Sequence, residues 1–203
     1  MMDELRLSGL VASRICHDLI SPVGAIGNGV ELMRAVGDRG EGGAEEMELI
    51  ADCAGAASAA LRFLRLAFGA RDAEESIPLA ELRAAAEPHL ARRGIRLDWG
   101  DAPQMLRLGA ARPLLLLALA GAGALPRGGA MRLGALEEAP LRLEWRLEAE
   151  RVRPGERLRA LLSAPPDAAG TGAGEAHVLL LWLLAAEAGA RPYWREEGAI
   201  GVA

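Results

Sequence analysis

Two runs of apolar residues at helical spacing, separated by one glycine-rich turn, constrain this chain more than any other feature. The first places Leu7, Leu10, Val11, Ile15, Leu19, Val23, Ile26, Val30 and Met33 at steps that average one helical turn. The second places Met47, Ile50, Ala54, Ala57, Leu61, Leu64 and Phe68 in the same way. Between them lies Gly37-Asp38-Arg39-Gly40-Glu41-Gly42-Gly43. Such steps put side chains on one helix face, and clustered glycines end a helix. The pattern predicts an antiparallel helical hairpin. A lone hairpin cannot bury two apolar stripes. A symmetric dimer that forms a four-helix bundle buries both; packing on the rest of the same chain is the alternative. Residues 54–60 are Ala-rich, which lets helix backbones approach closely.

After a break at 69–76 the pattern changes to short interleaved elements. We expect strands at 77–79, 95–99, 131–136, 141–148, 192–196 and 199–202. Helices are expected at 80–93, 111–125, 156–162 and 178–188, with a Pro/Gly/Ala loop over 163–174. Interleaving of this kind predicts one sheet with helices on one face. The fold class is therefore α+β. A helical hairpin over residues 1–70 precedes a two-layer α/β sandwich over residues 77–203.

Bulk properties exclude several functions. The net charge is -5, which leaves no basic footprint for nucleic acid. The longest apolar runs, 113–125 and 178–186, fall short of the ~20 residues that span a bilayer. No secretory signal is visible, since charge begins at Asp3. The two cysteines, Cys16 and Cys53, are expected to be reduced thiols of a cytoplasmic protein, with Cys16 on the hairpin's inner side. The four tryptophans, Trp99, Trp145, Trp182 and Trp194, should help build the core of the second segment. His89 and His177 lack Cys or carboxylate partners at ligand spacing, so neither suggests a metal site. Both are expected at the surface or partly buried. Arg151, Arg153, Arg157 and Arg159 read as a solvated surface, with docking of an acidic domain as the alternative.

The chemistry concentrates in Arg14-Ile15-Cys16-His17-Asp18-Leu19-Ile20-Ser21-Pro22. An imidazole that accepts and donates a phosphoryl group must be exposed. One ring nitrogen must be unprotonated near neutral pH, which the ordinary imidazole pKa of ~6.5 permits. The other should donate to an acceptor that stabilises the developing imidazolium. Asp18 suits that role and also that of a local base. On a helix, Ser13, Arg14, Ser21 and Gly24 share the His17 face. Arg14 can counter phosphoryl charge, and the small Ser21 and Gly24 let a partner come near. Pro22 removes the backbone bond to the Asp18 carbonyl and should bend the helix there.

His17-Asp18-Leu19-x-x-Pro22 resembles the phosphoacceptor box of dimerising histidine kinases. The fuller run from Ser13 to Ile26 resembles the ChpT-like histidine phosphotransferases of alphaproteobacteria, and the layout of the whole chain agrees. The resemblance implies a homodimeric phosphotransferase. It would take a phosphoryl group from the receiver domain of a hybrid histidine kinase and pass it to response regulators of the cell-cycle or motility type. It implies His17 as phosphoacceptor and Asp18 as its acidic neighbour. Receiver domains hold Mg²⁺ with their own carboxylates, so the metal is expected at the partner and no cofactor on this chain.

The second segment also resembles a kinase ATP-binding domain, but a degenerate one. The residues at the two Asn positions of the ATP-binding helix are Leu116 and Ala120, and Asn28 is the only Asn in the chain. Gly170-Thr171-Gly172-Ala173-Gly174 resembles a remnant of the Gly-rich box, but a flexible loop with a helix start is the favoured reading. Asp167 lacks the following Gly that an adenine-reading Asp would have. No ATP binding and no autokinase activity are expected. An ATP-using kinase core and a non-catalytic dimerisation scaffold are the competing readings.

Overall fold

The computed structural model describes residues 4–37, 43–70, 72–167 and 170–203. The hairpin is built from α1 (Glu4–Gly37) and α2 (Ala44–Phe68). Most of its expected turn, 38–42, lies outside the described residues. Glu45 and Glu46 in the first turn of α2 and Arg65 in its last match the helix dipole. The two helices meet closely at Gly29, where a Cβ would stand 2.7 Å from Ile50 Cγ1. Helix α1 runs unbroken through Pro22 to Gly37.

The remaining elements follow as β1 (Ser76–Pro78), α3 (Leu79–Ala91), β2 (Ile95–Asp98), β3 (Met105–Arg107) and α4 (Leu108–Ala122). Then come β4 (Gly129–Glu138), β5 (Leu141–Glu148), α5 (Glu156–Ser163), α6 (Ala176–Glu187), β6 (Pro192–Arg195) and β7 (Ala199–Val202). The main sheet has five strands in the order β2-β4-β5-β7-β6. Strand β2 runs parallel to β4, and the other pairs are antiparallel. The expectation of a single sheet needs correction. Strand β3, unforeseen, pairs with β1 in a separate two-stranded sheet. Three residues with one buried side chain carry too little period-two signal to read.

The main sheet is apolar on its helix side. In β5, Leu141, Leu143, Trp145 and Leu147 are buried while Arg142, Arg146 and Glu148 are exposed. The charged face carries ion pairs such as Arg132–Asp98 at 3.0 Å and Arg146–Glu144 at 3.2 Å. Helix α4 lies against the apolar face. It comes close at Gly121, where a Cβ would meet Met131 Cε at 3.1 Å and Leu147 Cδ2 at 3.2 Å. Trp145 is wholly buried; its indole N–H donates to the Leu114 carbonyl at 3.0 Å, and its ring meets Trp99 edge-on at 5.2 Å. Trp182 likewise donates to the Leu161 carbonyl at 2.7 Å, which ties α6 to α5.

The hairpin's apolar surface is divided between two fates. Ala60, Phe63, Leu64, Leu66 and Ala67 at the end of α2 belong to the same buried core as α3, α4 and the sheet. Farther out, Val23, Leu32, Met47 and Leu49 remain exposed, as do Ile20 and Leu61.

Candidate phosphoacceptor site

His17 sits on α1 with its ring turned to solvent, 82% exposed. Its Nδ1 lies 3.2 Å from Asp18 Oδ1. A carboxylate can only accept, so Nδ1 carries the proton in this contact and Nε2 keeps its lone pair. The α-helix places Arg14 one turn before Asp18. The Arg14 Nε donates to Asp18 Oδ2 at 2.9 Å, and both side chains are only 10% exposed. Burial alone would raise the Asp18 carboxyl. The Arg14 charge, the hydrogen bonds from His17 and Arg14, and the Arg93 charge outweigh it and hold the group below its ordinary value.

Arg14 has a second bond. Its Nη1 donates to the carbonyl of Gly174, 2.7 Å away. This corrects the expectation that Arg14 faces a partner: its guanidinium is buried between α1 and the loop before α6. Residues 170–174 of that loop are also more fixed than their composition suggested. Thr171 Oγ1 donates to the Asp167 carbonyl at 2.7 Å, and Arg157 donates to the Gly170 carbonyl at 2.8 Å. The Arg157 guanidinium also pairs with Glu175 at 2.6 Å. A single 3-10 turn, Ala173–Glu175, then leads into α6.

A cleft of about 310 Å³ opens beside His17. Asp18 and Ser21 of α1 form one wall, and Arg92 and Arg93 beyond the end of α3 form another. Both arginines are exposed. Sequence reading missed them, because their proximity to His17 depends on how α3 docks against the hairpin. Cys53 of α2 also lines the cleft. Cys16, expected on the inner side, is exposed instead. The inward positions around it belong to Arg14, Ile15 and Leu19. Ser13, Ser21 and Gly24 are exposed, and a Cβ at Gly24 would meet nothing within 4 Å.

Of the other two histidines, His89 is partly buried, as expected, and lines the same cleft as His17. The His89 ring stacks on Phe63 with centroids 4.4 Å apart, and burial, aided by the Arg93 charge, pushes its pKa down to about 4. His177 is buried outright, which corrects the expectation for it, and burial with the Arg14 and Arg93 charges brings its pKa to about 3. The helix that would carry Mg²⁺-binding Asn residues in a kinase is α4. Leu114, Leu115, Leu116 and Leu117 are all at most 1% exposed, as is Ala120.

The chain thus sets a helical hairpin with a solvent-facing His before a sheet covered by helices. Residues 79–200 match the family described as "Histidine phosphotransferase C-terminal domain", and the chain belongs to that family. Over 133 residues it is 41% identical to "Protein phosphotransferase ChpT" of Brucella abortus (strain 2308). The match spans 64% of this chain and 61% of that protein, so it leaves more than a third of the relative uncovered. Among solved structures, it resembles one described as "1.7 Angstrom Structure of a Bacterial Phosphotransferase". The TM-score is 0.80 at 32% identity, over 100% of this chain and 97% of the other. The family match begins after the hairpin, so the role of His17 rests on its geometry and its sequence box.

Proposed function

We propose that this protein relays phosphoryl groups between receiver domains through His17. The observation that carries this reading is an exposed imidazole whose Nδ1 is engaged by a buried, charge-stabilised carboxylate. Nε2 attacks the phosphorus of an aspartyl phosphate on the receiver of a hybrid histidine kinase. The N–P bond forms, the P–O bond to the aspartate breaks, and the aspartate leaves as a carboxylate. Asp18 stabilises the positive charge that develops on the ring. The reverse step, on a response regulator of the cell-cycle or motility type, returns the imidazole to neutrality.

Among the described residues, no group of three or more His, Cys, Asp or Glu is placed to hold a metal ion. In this reading Mg²⁺ sits with the receiver's carboxylates, where it neutralises phosphoryl charge. Arg92 and Arg93 add positive charge on the cleft wall. The buried aliphatic α4 favours a relay that neither binds ATP nor phosphorylates itself. The exposed Val23, Leu32, Met47 and Leu49 favour a homodimer through a four-helix bundle. No helix among the described residues is long and apolar enough to cross a membrane, and we place the relay in the cytoplasm.

The test is incubation with a receiver domain carrying labelled phosphate, without ATP. Label should move to the wild-type chain and not to His17→Ala. Uptake by that variant at the wild-type level would reject the assignment.

A further inference from the structure

We infer that Arg14 is a positioning residue: it clasps Asp18 to the Gly174 carbonyl, so that the loop before α6 sets the proton position and orientation of the His17 ring. The inference rests on the relay reading and adds an internal control to it.

The contacts form a continuous line. Gly174 accepts from Arg14 Nη1 at 2.7 Å, Arg14 Nε donates to Asp18 Oδ2 at 2.9 Å, and Asp18 Oδ1 meets His17 Nδ1 at 3.2 Å. The two Asp18 oxygens are thereby used by different partners. An aspartate held on one oxygen only can turn about its last torsion. Fixing Oδ2 fixes where Oδ1 points, and that point is the His17 Nδ1. Burial strengthens the effect, since Arg14 and Asp18 are each 10% exposed while the ring they aim is 82% exposed. A guanidinium suits the task because it is planar, permanently charged and donates in two directions at once.

The anchor is itself held. Gly172 N donates to Glu175 at 3.2 Å, and Arg157 pairs with the same carboxylate at 2.6 Å. The loop therefore presents a fixed carbonyl. Its side-chain-free glycines leave only backbone to contact, and one carbonyl is enough. In this arrangement a backbone carbonyl of the loop reaches the imidazole through two side chains.

The experiment uses the full-length protein with ¹⁵N-labelled histidine, as wild type, Arg14→Lys and Arg14→Gln. Wild-type His17 should be in the Nδ1–H form. Arg14→Gln should shift it toward the Nε2–H form and slow label uptake from a phosphorylated receiver by roughly tenfold, well under the ~10⁴ that a wrong tautomer costs a catalytic His. The acid limb of its rate profile should also move to higher pH, because Asp18 loses the charge that holds its carboxyl down. Arg14→Lys keeps the charge but offers a single point of donation. It should keep the wild-type acid limb and still show a mixed tautomer. A folded Arg14→Gln protein with the wild-type tautomer would overturn the clasp. A wild-type chain that takes no label from any receiver would overturn the relay reading instead, while the tautomer comparison still decides the clasp.

Discussion

At the scale of single residues, the site separates two jobs that neighbouring positions in the sequence conceal. His17 faces solvent, where the proposed relay puts the chemistry; Asp18, next in the chain, is turned inward, where that relay has it set the charge. Asp18→Asn removes that charge while keeping the shape. Label transfer should slow by about 10²-fold or more, the range expected for a lost acid–base partner, with secondary structure intact by circular dichroism. Transfer at the wild-type rate would mean that Asp18 is a bystander. The buried histidines give a pH prediction. Burial puts His177 at about 3 and His89 at about 4. An unfolded imidazole takes its proton near ~6.5. The stability these two contribute is therefore complete above ~6.5 and is lost as pH falls toward their folded values, at roughly 1.4 kcal/mol per unit of separation. Asp18, Glu144 and Glu175, all held below their ordinary values, add to the loss lower in the range. Melting should occur several degrees lower near pH ~4.5 than near pH ~7.5. His177→Met should flatten that dependence; an equal slope in the variant would leave it to His89 and the carboxylates.

At the scale of elements, the C-terminal end of α3 brings positive charge to the His17 cleft. Reversing it with Arg92→Glu and Arg93→Glu should weaken capture of an acidic receiver, with the salt dependence of binding reduced as well. Capture unchanged at low salt would remove those residues from the interface. The position of α3 also marks the limit of what could be read from the chain alone. Both hairpin helices were legible because their apolar steps persist over six or more turns. So were α4 and α6, which are apolar nearly all round, and β5, whose four buried apolar residues stand at alternate positions. Strand β3 was not, because three residues have no period. Nor was the inward turn of Arg14. Helical spacing puts it on the His17 side, but only the packing of α1 against the loop at Gly174 decides whether it meets solvent or protein. Burial of His177 was hidden for the same reason: it depends on how the start of α6 packs against the rest of the fold.

Across the whole molecule, two apolar surfaces make opposite predictions. The exposed one on the outer hairpin should bring two chains together, and light scattering should give about twice the 21.3 kDa chain mass. Val23→Glu with Leu32→Glu should shift the protein to monomer; a wild-type monomer at micromolar concentration would sink the bundle. The buried surface around α4 should resist conversion into a nucleotide site. Leu116→Asn with Ala120→Asn would replace close-packed aliphatic groups by buried amides, each unpaired amide costing roughly 1–3 kcal/mol. Calorimetry should find a less stable protein and no heat with millimolar ATP; saturable ATP binding by the wild type would revive the kinase reading.

The last turns of α2 lie inside the core shared with α3, α4 and the sheet. A machine that must deliver a phosphoryl group from one of its own lobes to another needs a hinge between them. Here α2, which lends Cys53, Ala56 and Ala60 to the cleft, is rooted in the body of the sandwich, so a hinge at its end would have to open the interior. Amide protons of residues 60–67 should then exchange only through global unfolding, at the pace of those in α4. In the proposed relay such a chain acts as a fixed jig: both reactants would arrive from outside in turn, and the tempo would belong to their encounters with it.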